Sequence, residues 1–328
     1  MSLVAQAAPA LAGHEKAWRE WRAALASPRM HHGWILAGRK GLGKARFAHA
    51  AARALVAEPG VPQPTSAHVD IITLTNLPAS TADEKKREEG EAYQLKRNIS
   101  VDQVRAMQAS LTTRPTLGAR RAIIIDSADD LEKSAANALL KSLEEPPVGS
   151  FFLLVAHRPG RLLPTIRSRC RIIPFAPLAP EEMDAVLRAE APEADTATRE
   201  AAAAAAQGSP GAALDFVALD LAPMHTLMLR IAQTGDRDMA LRGALAAALG
   251  VRPDRNRQLA ALDLARAVAA GRLGEVEAAG IPALSDTYAE LARLSGEAAT
   301  YNYDPGLLVL QIGTLLARLA APIATIDG

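Results

Sequence analysis

Cys170 is the only cysteine in 328 residues, so neither a disulfide framework nor a cysteine zinc cluster can form within one chain. Aromatic residues make up 4% of a chain that is 49% hydrophobic, and alanine and leucine dominate the apolar share, a balance that favours helices packed on helices. Neither sign of charge is in excess: 37 Lys plus Arg stand against 36 Asp plus Glu, so any contact with nucleic acid must be local. The histidines show no metal-ligand spacing; His31 and His32 are adjacent and the others are scattered. No apolar run reaches the roughly 18 residues that would span a bilayer, and the first residues do not read as a signal peptide. A cytoplasmic protein with no membrane contact is expected, divided into two or three domains because the chain is too long for one ordinary core.

What is present centres on residues 121–174. Ala122-Ile123-Ile124-Ile125 and Phe151-Phe152-Leu153-Leu154-Val155 are short, β-branched or aromatic, and read as buried strands. Between them Ala136, Leu139, Leu140 and Leu143 fall on one helical face, and Pro146-Pro147 ends that helix. Past the second strand come His157, Ser168-Arg169-Cys170, and a last strand at Ile172-Ile173-Pro174-Phe175. His157 reads as a loop residue, with a polar phosphate sensor as the alternative. The arginines, taken by themselves, read as a solvated surface.

A second informative stretch lies earlier. Trp34-Ile35-Leu36-Ala37 reads as a strand, Gly38-Arg39-Lys40-Gly41-Leu42-Gly43-Lys44-Ala45 as a glycine-rich loop, and Phe47, Ala48, Ala51 and Leu55 as one face of a helix. Strand, loop and helix in that order let backbone N–H groups wrap a phosphate, and Gly38, Gly41, Gly43 and Lys44 have the spacing of a P-loop. A P-loop needs Ser or Thr after its lysine to hold magnesium, and Ala45 has no oxygen. Asp126, at the end of the 122–125 strand, stands where an NTPase places its magnesium-coordinating acid, but the next residue, Ser127, cannot polarise water as a glutamate would. Both substitutions argue against hydrolysis in this chain and leave the loop as either scaffold or a weak nucleotide site.

The remaining segments are plainer. Residues 14–26 form a helix with Trp18, Trp21 and Leu25 towards the core, and residues 68–74 alternate like a strand. Residues 80–97 are densely charged with mixed sign and read as a solvated insertion or mobile loop; DNA contact through Lys85, Lys86, Arg87, Lys96 and Arg97 is the minority reading. Ser100 caps a helix carrying Val101, Val104, Met107 and Leu111, and 114–121 is a basic turn. Beyond Pro177 the texture is helical. One helix opens at Pro180, another runs from Asp195 to Gln207, and Gly208-Ser209-Pro210-Gly211 breaks the chain. Apolar faces follow at Met224, Leu227, Met228 and Ile231, at Leu241, Leu245 and Leu249, and at Leu284, Tyr288 and Leu291. A final helix is capped by Asp304, with Leu308, Ile312, Leu315 and Leu319 on one side.

Asn137-Ala138-Leu139-Leu140-Lys141-Ser142-Leu143-Glu144-Glu145-Pro146-Pro147, followed by Ser168-Arg169-Cys170, resembles the bacterial clamp-loader branch of the AAA+ ATPases. The resemblance covers nearly the whole chain. It implies an α/β AAA+ domain over 1–176, with a P-loop-like parallel sheet and flanking helices, then an all-α lid over 177–217 and an all-α collar over 218–328. Ala45 and Ser127 are similar to a subunit of that branch that does not hydrolyse ATP, and Gly211 stands where the motor subunit usually carries a nucleotide-sensing arginine. An active tau/gamma-like ATPase is the alternative. The resemblance further implies that Arg169, positioned by Ser168 and Cys170, is an arginine finger acting in trans on ATP bound by a neighbouring tau/gamma subunit, with delta as a further partner. The sliding clamp and primer–template DNA would be met through the assembly. No cofactor is then required by this chain itself. Members of the branch commonly carry a four-cysteine zinc module after the P-loop helix; residues 55–70 contain no cysteine, so zinc is not carried over.

Overall fold

The short apolar runs become strands. β1 (Gly33–Ala37), β2 (Ile71–Leu74), β3 (Arg121–Asp126), β4 (Ser150–Ala156) and β5 (Arg171–Pro174) form one sheet in the order β2-β3-β4-β1-β5, with every pairing parallel. The computed structural model describes residues 13–91, 93–298 and 303–320. Residues 1–12 and 321–328, at the ends of the expected first and last domains, lie outside the described residues.

Parallel strands need helical crossovers, and these cover both faces of the sheet. The helices of this part are α1 (Glu15–Leu25), α2 (Lys44–Val56), α3 (Thr81–Glu88), α4 (Val101–Ser110), α5 (Lys133–Glu144) and α6 (Pro164–Arg167). Because successive strand residues point to opposite faces, β1 divides its side chains between two cores. Trp34 and Leu36 join Ile124 and Leu153 under Trp18 and Trp21 of α1 and Phe47 and Leu55 of α2. Ile35 joins Ile123, Ile125, Phe152 and Leu154 under Val104 and Met107 of α4, Leu139 and Leu143 of α5, and Ile166 of α6. Burial on both faces explains why these strands are continuous apolar runs without polar alternation.

Local signals set the helix ends. The Ser100 Oγ accepts the Gln103 N–H at 3.4 Å while the Gln103 side chain accepts the Ser100 N–H at 3.1 Å, a reciprocal cap on α4. The charged 80–97 segment holds a helix where the sequence suggested a loop. Ser80 caps α3 through the Asp83 N–H at 3.2 Å, and Arg87–Glu84 (3.6 Å) and Lys85–Glu89 (3.9 Å) pair along it, yet none of its residues is buried.

The strand expected over 68–74 begins only at Ile71. Asp70 is diverted into a buried staple. Its carboxylate accepts the Thr116 and Leu117 N–H groups, both at 2.7 Å, and faces Arg121 at 3.7 Å. Arg121 in turn donates to the carbonyls of Ser110 (2.7 Å), Arg114 (3.0 Å) and Thr113 (3.3 Å). This pair ties the 110–117 turn to the edge of the sheet.

The chain divides into two compact units, one ending at Leu178 and one beginning at Ala179. The second unit is all helix: α7 (Pro180–Glu190), α8 (Thr196–Ala206), α9 (Pro210–Ala218), α10 (Ala222–Thr234), α11 (Ala240–Leu249), α12 (Arg255–Gly271), α13 (Ile281–Ala298) and α14 (Pro305–Ala317). Within this unit α8 touches both α10 and α12. Arg257 adds a polar tie, donating to the carbonyls of Ala248 at 3.0 Å and Leu249 at 3.2 Å at the end of α11, and to that of Leu219 just past α9. Tyr288, placed on the apolar face of α13 by its spacing, is 37% exposed, and its hydroxyl accepts from Arg266 at 3.1 Å. Its neighbour Thr287 takes the buried position instead.

Removing the Asp70 carboxylate leaves the Arg121 charge buried without its counter-ion, so Asp70→Ala is expected to destabilise the first unit by about 3–5 kcal/mol. Trp18, Trp21 and Trp34 are the chain's three tryptophans and all lie in that unit, so urea denaturation followed by tryptophan fluorescence reads the loss directly.

Candidate functional site

The C-terminal edge of the sheet gathers Gly38, Gly41, Gly43, Lys44 and Asp126 of the sequence reading. Gly38 is required by close packing: a Cβ there would lie 2.5 Å from the Phe175 carbonyl oxygen. Gly41 (φ 84°) and Gly43 (φ 76°) hold left-handed conformations that side chains disfavour. The loop therefore has the glycine geometry of a P-loop, closing onto the start of α2.

Lys44 is 2% exposed, and its Nζ donates to the Gly38 carbonyl at 2.6 Å and the Arg39 carbonyl at 2.5 Å. Burial pushes its ammonium down to about 8, against the opposing pull of Asp129 and Asp126. The lysine is turned back onto the loop's own carbonyls. Ala45, next in the chain, presents a methyl group where a magnesium ligand would need an oxygen.

Asp126 ends β3, and burial raises its carboxyl against His49, Lys44 and Lys40. Ser127 beside it is buried and donates to Asp129 Oδ2 at 3.3 Å. The sequence reading missed Asp129. Its carboxylate accepts the backbone N–H groups of His157 (2.5 Å) and Arg158 (2.8 Å), tying the β3 end to the β4 end. Burial and then Lys44 push His157 down to about 4, with Asp129 opposing, so its imidazole is neutral at pH 7. Its Nδ1 has no hydrogen-bond partner among the described residues.

Ser168, Arg169 and Cys170 lie elsewhere. They precede β5, which pairs with β1 from Trp34↔Arg171 to Ala37↔Pro174. A Cβ at Gly33, the first residue of β1, would meet Cys170 Sγ at 2.9 Å and the Arg169 carbonyl at 3.0 Å. Gly33 and Gly38 are five residues apart on an extended strand, roughly 16 Å. Arg169 and the P-loop therefore occupy opposite edges of the same sheet.

The Arg169 side chain is 35% exposed. One Nη donates to the Thr165 carbonyl at 3.0 Å and Ser168 Oγ at 3.3 Å; the other pairs with Glu144 Oε1 at 2.8 Å. Ser168 Oγ itself donates to the Thr165 carbonyl at 3.0 Å. Cys170 packs against the sheet, and burial pushes its thiol up to about 12, so it is protonated and unreactive at neutral pH. Gly211 is the second residue of α9, whose start is capped by Ser209 through the Ala212 N–H at 3.3 Å. Among the described residues no three His, Cys, Asp or Glu side chains gather as a metal-ligand set, and no single helix is long and apolar enough to cross a membrane.

A five-stranded parallel sheet in this order, with a glycine loop leading from the inner strand β1 into a helix, is the AAA+ form of the P-loop fold. Residues 13–179, just over half of the chain, match the family described as DNA polymerase III, delta subunit, and the chain belongs to that family of clamp-loader proteins. The delta' subunit of Pseudomonas aeruginosa is 38% identical over 140 residues, 42% of this chain and 41% of that protein. The delta' subunit of Escherichia coli K12 is 43% identical over 121 residues, 36% of this chain and 35% of its own length. The gamma/tau subunit of Mycobacterium bovis is 29% identical over 176 residues, 53% of this chain and 29% of that protein. The aligned stretches thus span about two-fifths or less of these relatives. A solved gamma-subunit-related protein from Thermotoga maritima covers 92% of this chain and 99% of its own at 19% identity and a TM-score of 0.49.

His157 yields a pH prediction. Its folded value near 4 lies below the ordinary 6.5, so the unfolded chain binds more protons between those values. The stability it contributes is full above about pH 6.5 and is lost as pH falls towards about 4. His157→Asn is expected to flatten the acid limb of a thermal-stability profile across that window, as read by melting at stepped pH.

Proposed function

We propose that this chain is the noncatalytic stator of a DNA polymerase III clamp loader, and that Arg169 acts in trans on ATP bound by a neighbouring tau/gamma subunit. The observation that carries this reading is the separation of Arg169 from its own P-loop by the length of β1. A guanidinium at the far edge of the sheet cannot reach a phosphate in the loop of its own chain. It is partly open to solvent and has more donors than its three neighbouring acceptors engage, which suits an always-charged planar fork meeting phosphate oxygens from another subunit.

The other edge supports the same reading. Ala45 supplies no magnesium ligand, Ser127 is no general base, and Lys44 is engaged by loop carbonyls. This chain then needs no nucleotide of its own, and Gly38 to Lys44 with Asp126 serve as scaffold. Tau/gamma and delta would be its direct partners, with the sliding clamp and primed DNA met through the assembly, in the cytoplasm. The alternative, an active tau/gamma-like ATPase, requires tight magnesium-dependent ATP binding and turnover by the isolated chain, and their detection would sink the stator reading.

In a complex reconstituted with tau/gamma and delta, Arg169→Ala is expected to leave assembly intact by gel filtration. Single-turnover hydrolysis at the site it completes should slow by roughly 10³-fold, the lower end for such fingers. Undiminished hydrolysis would remove Arg169 from the mechanism. Lys44→Ala in the same complex is expected to leave clamp loading near its original rate.

A further inference from the structure

Glu144 is the last residue of α5, and Glu145 follows it. Carboxylates there face the negative end of the helix dipole, where cations are favoured, and Lys141 is the only basic residue in that last turn. A local preference broken in this way calls for a compensating contact elsewhere. The compensation is Arg169, whose guanidinium meets Glu144 Oε1 at 2.8 Å from 25 positions along the chain.

The two sides of the guanidinium are held differently. One Nη is fixed by neutral acceptors of its own turn, the Thr165 carbonyl and Ser168 Oγ. The other is fixed only by Glu144, which is anchored on a different helix. Contacts within its own turn leave the head free to rotate with that turn; the Glu144 contact ties it to α5, which packs against the sheet through Leu139 and Leu143. Its three partners, the Thr165 carbonyl, Ser168 Oγ and Glu144, orient the five-donor fork without saturating it, and donors remain to meet a phosphate.

We propose that Glu144 is a positioning residue for Arg169, setting the angle at which the guanidinium is presented to the phosphate of the adjoining subunit's nucleotide. This rests on the trans role proposed for Arg169. A positioning residue acts on the chemical step and leaves ATP binding by the neighbour untouched. A latch that had to be displaced before reaction would instead hold hydrolysis back.

The test compares Glu144→Ala, Glu144→Gln, Arg169→Ala and the Glu144→Ala/Arg169→Ala double variant in the reconstituted complex, with ATP and primed DNA. Glu144→Ala is expected to lower kcat on the order of tenfold with KM for ATP unchanged, within the range that misplacement of a reacting group costs. Glu144→Gln keeps an acceptor oxygen at the same reach and is expected to recover most of the rate. The double variant should be no slower than Arg169→Ala, since Glu144 acts only through Arg169. The melting temperature should hold, because removing an anion from a helix C-terminus does not weaken the helix. A rate for Glu144→Ala equal to or above the original, a glutamine variant as slow as the alanine one, or a double variant slower than Arg169→Ala would each overturn the proposal. If Arg169→Ala itself is silent, the trans reading falls and the positioning role falls with it. If Arg169→Ala is slow and Glu144→Ala is not, only the positioning role falls.

Discussion

The pairing of β1 between β4 and β5 constrains everything else in the first unit. β1 is buried on both faces, with Trp34 and Leu36 in one core and Ile35 in the other, so a one-residue slip would exchange two packed sets of side chains at once. That register fixes both ends of the strand. Gly33 admits Cys170 and the Arg169 backbone at one end, and Gly38 admits the Phe175 backbone at the other. The arginine and the P-loop are thereby placed by the same five residues, and held apart by them.

Electrostatics treats these two ends unequally. At the P-loop edge two charged groups are turned inward, Lys44 onto loop carbonyls and Asp129 onto the backbone past β4. Groups satisfied within the protein have little left to offer a ligand, and drawing them away would cost the hydrogen bonds they already make. At the other edge Arg169 is partly exposed, and its contacts with Thr165, Ser168 and Glu144 leave part of its five-donor fork to spare. A charge held in that way costs little to redirect onto an incoming anion, whereas Lys44 must first give up its carbonyls.

The strands and most helix faces were legible because their signals are periodic and local. Ile123 to Ile125 and Phe152 to Val155 could hardly be anything but a sheet buried on both faces, and the cap at Ser100 is written within the four positions from Ser100 to Gln103. α12 escaped notice because much of its buried face is alanine (Ala261, Ala265 and Ala269), which carries little hydrophobic contrast. Tyr288 misled by spacing, since an amphipathic ring whose hydroxyl has a partner at the surface can leave the core. The polar ties were invisible for another reason. Asp70 with Arg121, Asp129 with His157 and Glu144 with Arg169 join residues 51, 28 and 25 positions apart, and no local pattern encodes such a meeting. Only Glu144 left a trace, as an acid at the wrong end of a helix.

A motif can outlast the chemistry it evolved for when its residues also carry the fold. Gly38 cannot accept a side chain because Phe175 of the β5 exit occupies that space, whether or not a phosphate is ever bound. Gly41 and Gly43 are fixed by their left-handed backbone, and Lys44 satisfies two carbonyls that would otherwise be partly stranded in a buried turn. Each of these residues has a structural reason to persist. Ala45 and Ser127 stand at the positions where nucleotide chemistry, rather than the fold, would demand a particular side chain, and on the proposed stator reading these are the positions the motif has given up. On that reading the division follows the line between scaffold and catalysis, and because each glycine has a structural reason to persist, an intact glycine loop is by itself no argument for a bound nucleotide.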